Sequence, residues 1–308
     1  MPYDLGYVYD EELTEGKYCP HMRVTYERQL VIIFLEDART AVWDGMAGDD
    51  PRVVSLLRDV FLQPPSVLPY NLSQDPYYLV SSKGGSWHYI HGFLHLMFSG
   101  QRKGFFVEAG ALDGQQLSNS LWLEQELGWN GLLIEPNVVS YRALLAKHRK
   151  AWASNTCLSW DHLSRRSVHV SLGVESGYMV PWWHVIGSSY QLGVTMNSNK
   201  YDSFINMADH SYSWTQCFPL SSYLLALNIS TIDVLSLDTQ GSEKEILYSF
   251  PWNSVTVRVV IVEMVQDSLE PDADFLTFMN ARGFLLLSHQ EDYILVQQRD
   301  PFLSRRLS

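Results

Sequence analysis

The chain changes its hydrophobic rhythm near its first third. From Gly104 onward, short apolar runs alternate with amphipathic stretches at helical spacing. Phe105-Phe106-Val107-Glu108 reads as a strand running into Gly110-Ala111-Leu112-Asp113-Gly114. Gln116 to Leu127 then reads as a helix with Leu117, Leu121, Trp122 and Leu127 inward, closed by Gly128. Gly131 to Glu135 is a second strand, Val138 to His148 a second helix, and Thr156 to Ser159 a third strand. Residues 160–216 carry no regular period beyond a short strand at Val168-His169-Val170. After them the spacing predicts a helix over Leu220 to Leu227, a strand over Ile232 to Asp238 and a helix over Ser242 to Phe250. Val257 to Val262 is a β-branched strand, Asp272 to Arg282 a helix, and Phe284 to Leu287 with Tyr293 to Gln297 a hairpin. Continuous apolar strands between amphipathic helices call for a parallel sheet covered on both faces. The hairpin would add one antiparallel strand.

The first third follows other rules. Arg23 to Trp43 has helix-compatible periodicity, ended by Gly45, Gly48 and Asp49-Asp50. Asp50-Pro51 reads as a cap followed by a first-turn proline, with Val53, Leu56, Leu57, Val60 and Phe61 at helical spacing behind it. Gln63 to Tyr70, with three prolines, is a stiff extended segment, residues 71–86 are loop, and Trp87 to Phe98 is a helix. The expected organisation is an N-terminal helical extension and Pro-rich lead-in over 1–85, the main domain over 86–299, and a tail over 300–308.

Composition narrows the classes. Hydrophobic residues make up 46% of the 308 and charged residues 18%, which permits a sizeable core and excludes global disorder. The formal charge of −12 repels phosphate backbones, so no nucleic-acid partner is expected. Cys19, Cys157 and Cys217 lie far apart and are odd in number, which suggests neither a disulfide scaffold nor a zinc site. The most apolar early run, Leu30 to Leu35, is far short of the ~20 residues that cross a bilayer. As written the chain reads as soluble and cytoplasmic. Sequons stand at Asn71-Leu72-Ser73 and Asn228-Ile229-Ser230, a pattern that arises often by chance.

In sheets of this kind the ligand sits beyond the carboxyl ends of the strands. The first strand ends on Glu108-x-Gly110-x-x-x-Gly114, whose glycines let the backbone turn sharply and lie close to a ligand. The second ends on Glu135, an acid able to accept both hydroxyls of a ribose. A later strand ends on Asp238-Thr239-Gln240-Gly241-Ser242, a carboxylate with a helix start behind it. The loop lacks the Gly-x-Gly-x-x-Gly spacing and the lysine that cradle phosphates, which favours S-adenosylmethionine over NAD or ATP.

Phe105 to Gly114, Leu117 to Ser120, Leu127-Gly128-Trp129 and Gly131 to Pro136 together resemble the FkbM-type methyltransferase domain, closest to the branch of animal Star-like proteins. Ile232 to Gly241, Glu245-Ile246-Leu247 and Val262-Glu263 resemble the later motifs of the same domain, and Pro64 to Leu72 the lead-in of Star-like members. The similarity covers about residues 50–298. It implies an α/β class I methyltransferase fold: a Rossmann-like, seven-stranded, mostly parallel sheet with the last strand antiparallel. It implies S-adenosylmethionine as cofactor, with Glu108, Gly110, Asp113 and Gly114 shaping its pocket, Glu135 on the ribose, and Ser159 and Asp161 lining the adenine. Asp238 would face the methyl-transfer centre as first candidate for the base, with His184, in Pro181-Trp182-Trp183-His184, as second. The expected acceptor is a small-molecule, sugar or lipid-like hydroxyl. Where the family shows an acid in Asp-x-Glu-Gly this chain has Gln240, which cannot accept a proton as a base. The Star-like resemblance therefore implies an alternative: a non-catalytic protein of vesicle-mediated transport, associated with the endoplasmic reticulum, Golgi or endosomes.

Other features carry less. His88, His91 and His95 share a helical face but lack an acidic companion, so no metal site is expected. Asp75-Pro76-Tyr77-Tyr78 reads as a proline turn, and Trp182, Trp183 and Trp214 as packing.

Overall fold

The computed structural model describes residues 44–81, 83, 85–172, 190–191, 210–264, 270–290 and 292–306. The helix expected over Arg23 to Trp43, His184, Trp182 and Trp183 lie outside them.

The strands are β1 (Leu62–Gln63), β2 (Phe105–Ala109), β3 (Asn130–Ile134), β4 (Trp152–Ser154), β5 (Cys157–Leu158), β6 (Arg165–Leu172), β7 (Tyr190–Gln191), β8 (His210–Phe218), β9 (Thr231–Leu237), β10 (Thr256–Glu263), β11 (Phe284–His289) and β12 (Asp292–Gln297). The helices are α1 (Pro51–Leu56), α2 (Pro76–Ser81), α3 (Trp87–Phe98), α4 (Leu121–Leu127), α5 (Val138–Ala146), α6 (Leu220–Leu227), α7 (Glu243–Tyr248), α8 (Ala273–Asn280) and α9 (Pro301–Arg306).

Eight strands form the main sheet in the order β1-β4-β3-β2-β9-β10-β12-β11. The five from β4 to β10 are mutually parallel. β12 inserts antiparallel between β10 and β11, so β11 runs in the same sense as β10. The expectation of seven strands is thus corrected to eight. The addition is β1, whose Leu62 and Gln63 pair antiparallel with Ser154 and Ala153. Two residues at the end of a helix carry no periodicity by which a strand is read.

Alternate side chains of each strand enter two cores. Val107, Leu132, Ile134, Leu235, Leu237, Val260 and Val262 pack with Val53, Leu57, Tyr223, Ile246 and Phe275, from α1, its continuation, α6, α7 and α8. Phe106, Leu133, Val234, Val259 and Ile261 pack with Ile90, Leu94, Phe98, Leu123, Tyr141, Leu144 and Phe302, from α3, α4, α5 and α9. Burial on both faces accounts for the unbroken apolar runs. The Asp50-Pro51 start is observed, with the Asp50 carboxylate accepting the Arg52 N–H.

A second sheet, β5-β8-β6-β7, stands where the sequence showed almost no pattern. β6 and β8 pair antiparallel from Arg165–Cys217 to Leu172–His210. Their residues mix Arg, Ser, His, Thr and Gln with the apolar ones, so neither strand alternates cleanly. The expected third strand at Thr156 to Ser159 divides: β4 completes the main sheet earlier, and Cys157-Leu158 joins the second one. Cys157 lies directly opposite Cys217 on β8, and the two form a disulfide across 60 residues of sequence. The cysteine count alone gave no sign of it, because the pairing is a product of strand register.

Candidate functional site

The parallel strands deliver Ala109, Ile134 and Leu237 to one edge, and the loops behind them interlock. Gly110 N–H donates to Ile134 O at 3.0 Å and Asp238 N–H to Ala109 O at 3.0 Å. Gly110 has φ +83°, and a Cβ there would stand 1.9 Å from the Asp238 carbonyl oxygen. Only glycine fits between these strand ends. It lets two backbones touch. Glu135 reaches into the first loop: its Oε2 accepts the Leu112 N–H and its Oε1 the Asn137 N–H, each at 2.8 Å. Gly110, Glu135 and Asp238 therefore meet at one place.

Glu108 and Asp113 are committed elsewhere. The buried Glu108 carboxylate accepts the Asn119 N–H at 2.7 Å and the Ser118 and Ser120 hydroxyls. This pull explains why the helix expected from Gln116 starts only at Leu121: residues 118–120 are held against β2. Arg149 braces the same loop, pairing with buried Glu124 at 3.0 Å and donating to Gly114 O, Ser118 and Ser120. Asp113 Oδ1 accepts the Gln115 and Gln116 N–H groups, and its Oδ2 takes the Tyr78 hydroxyl at 2.6 Å and the Lys147 ammonium at 3.2 Å. The lead-in thus forms a strap. Ser66 and Asn71 donate to Arg149 O and Lys147 O, Ser73 exchanges hydrogen bonds with the Gln115 side chain, and α2 delivers Tyr78. The proline turn read at Asp75-Pro76-Tyr77-Tyr78 is the start of that helix.

A cluster of acids gathers at the exits of β9 and β10. Val262 is in register with Leu237, so Asp238 and Glu263 follow side by side, close enough for each carboxyl to act on the other. Both are pushed above ordinary carboxylate values. For Asp238 the main cause is burial; for Glu263, pushed up to about 10, it is the Asp238 charge and then burial. Burial and the neighbouring acid both favour a proton on the pair. Gln240 Nε2 donates to Asp238 Oδ1 at 2.5 Å. Glu243, the first residue of α7, folds back on this loop, accepting the Thr239 and Gly241 N–H groups at 2.6 and 2.9 Å. It holds Gln240 at φ +58° and Gly241 at φ +115°. Burial pushes Glu135 up to about 8 and Glu243 up to about 7.

Ser159 N–H donates to Phe218 O at 2.9 Å, while its buried Oγ has no hydrogen-bond partner among the described residues. Asp161 is tied to Arg165 and to the Leu163 N–H rather than to Gly110, Glu135 or Asp238. On α3, His91 stacks on Trp87 with centroids 4.5 Å apart, and His95 lies 4.2 Å from the Trp122 ring. Trp214 is half-buried under the Arg166 guanidinium, 4.6 Å from its ring centre.

Sequence reasoning missed Tyr78, Lys147, Arg149, Glu243 and Glu263 as parts of this region. Glu263 was within reach, since the strand-end rule that picked out Asp238 applies equally one strand further on.

A large, mostly parallel sheet clothed by helices, with glycine and acid loops meeting at its carboxyl edge, defines the class of α/β folds to which methyltransferases belong. The family model of the methyltransferase FkbM domain matches residues 108–286, more than half of the chain. The chain belongs to that family. No curated protein matches it.

Proposed function

We propose that the chain transfers a methyl group from S-adenosylmethionine to a hydroxyl of a small-molecule, sugar or lipid-like acceptor. The observation that carries this reading is the junction of Gly110, Glu135 and Asp238. The residues present fit the cofactor. Each Glu135 oxygen accepts one backbone amide, and the carboxyl, holding a proton at neutral pH, keeps capacity to exchange hydrogen bonds with a ribose hydroxyl. The unpartnered Ser159 Oγ offers a further polar contact. Negative charge held by the Asp238–Glu263 pair favours a cationic sulfonium nearby. When bound, S-adenosylmethionine supplies an electrophilic methyl group, and its C–S bond breaks as the new C–O bond forms.

Within this scheme Asp238 accepts the acceptor's hydroxyl proton. Glu263 stands beside Asp238 and acts on its carboxyl. Gln240 steadies the other side of the same carboxylate. His184 stays the second candidate for the base. Placement of donor and acceptor supplies much of the rate, and the strap, Arg149 and Glu243 fix the loops that do the placing.

Tritiated-methyl transfer to a panel of hydroxylated acceptors tests the reading. Asp238→Asn should lower kcat by roughly 10²–10⁴-fold, the usual contribution of a positioned base. Absence of labelled product across the panel, or an Asp238→Asn variant as fast as the wild type, overturns it. One observation favours a second reading, a non-catalytic protein that keeps the fold. Gln240 occupies the place of an acid and ties up Asp238.

A further inference from the structure

The two sequons are treated differently by the fold. Asn228 is the left-handed C-cap of α6, with φ +55°. Its backbone N–H donates to Leu225 O at 3.2 Å, and Ile229 N–H to Leu224 O at 2.8 Å. Ile229 packs against the core, while the side chains of Asn228 and Ser230 on either side of it are exposed. The Asn228 carboxamide has no hydrogen-bond partner among the described residues. Asn71 is exposed too, but its Nδ2 donates to Ala146 O at 3.0 Å and its N–H to Lys147 O at 3.0 Å. Ser73 of the same sequon donates its N–H to Gln115 Oε1 at 2.7 Å. A sugar on Asn71 Nδ2 competes with the bond that ties the strap to α5; one on Asn228 breaks no hydrogen bond among the described residues.

A sequon alone means little. The independent observation is the Cys157–Cys217 disulfide, whose two residues are buried where β5 meets β8. Disulfides form and persist in oxidising compartments. In eukaryotic cells the compartment that oxidises new chains also glycosylates Asn-x-Ser.

We propose that this chain matures in such an oxidising compartment and carries an N-linked glycan on Asn228 and none on Asn71. This placement departs from the cytoplasmic expectation drawn from the sequence. In glycan transfer, Asn228 Nδ2 loses one proton and bonds to the first sugar carbon, whose bond to a lipid-linked pyrophosphate breaks. In disulfide formation, the two thiols lose two protons and two electrons, which pass to the disulfide of a thiol oxidoreductase. Asn228 precedes β9 and Asp238 follows it, so a seven-residue strand, roughly 20 Å at 3.3 Å per residue, separates the glycan from the strand-end acids.

The test uses the full-length protein isolated from eukaryotic cells that make it. Peptide mapping without reduction should recover the Cys157 and Cys217 peptides linked. Peptide N-glycosidase in ¹⁸O-water should convert Asn228, and not Asn71, to labelled aspartate. In the same cells Asn228→Gln and Ser230→Ala should each abolish the glycosidase-sensitive gel shift, and Asn71→Gln should leave it unchanged. Free thiols at Cys157 and Cys217, an unmodified Asn228 peptide, or a glycan on Asn71 overturns the proposal.

Discussion

Replacing Tyr78 by Phe deletes one oxygen from the strap and little else. The Tyr78 ring is 2% exposed and the Asp113 side chain 1%, so the hydroxyl-to-carboxylate bond of 2.6 Å is shielded from water. Burial, and then the Asp113 charge, push the phenol above its ordinary value, so it stays protonated and donating. In the variant, Asp113 keeps Lys147 at 3.2 Å and its two backbone donors, so its charge is not abandoned. The loss is one charge-assisted hydrogen bond, roughly 1.5–3 kcal/mol. For a domain of this size that lowers the melting temperature by roughly 3–5 °C. Thermal unfolding followed by circular dichroism at pH 7 measures it, and limited proteolysis should show faster cleavage within residues 64–81. A Tyr78→Phe variant that melts within about 1 °C of the wild type refutes the reasoning.

Two further outcomes are expected. Gly110→Ala puts a methyl group against the Asp238 carbonyl oxygen, so the junction must open; refolding yield and melting temperature should fall sharply, and a variant as stable as the wild type contradicts the packing. Stability should also decline from pH 7 to pH 9. Glu135, Glu243 and Glu263 have raised values near 8, 7 and 10, so the folded state holds protons that the unfolded chain, titrating near 4.5, has released. Their contribution is complete below the unfolded value and is lost as pH rises through the folded ones, on the order of 1 kcal/mol per pH unit per retained proton. His169, which burial pushes down to about 4, acts in the opposite sense only below about pH 6.5 and leaves this window clean. Denaturant titrations at constant ionic strength across pH 7–9 check the slope; flat stability contradicts it.

The main sheet was legible because its strands are buried on both faces, and α3 and α6 begin and end where their spacing placed them. The strand-end glycines and acids were legible for the same reason: chain order and strand ends fix which loops meet. Three things were not. The second sheet is built from strands of mixed polarity, whose partners lie up to 60 residues apart. The strap's attachment depends on Tyr78 meeting Asp113 across 35 residues, which no local pattern encodes. The commitment of Glu108 to Ser118, Asn119 and Ser120 braces the loop and shortens α4 in a way no local pattern shows.

Calorimetric titration with S-adenosylmethionine puts the junction of Gly110, Glu135 and Asp238 to the most direct trial. The account predicts micromolar binding by the wild type. It also predicts a loss of roughly 10–100-fold in Glu135→Gln, the equivalent of one or two hydrogen bonds, in a variant that still unfolds cooperatively. No heat at millimolar cofactor, or a Glu135→Gln variant that binds as tightly as the wild type, contradicts it.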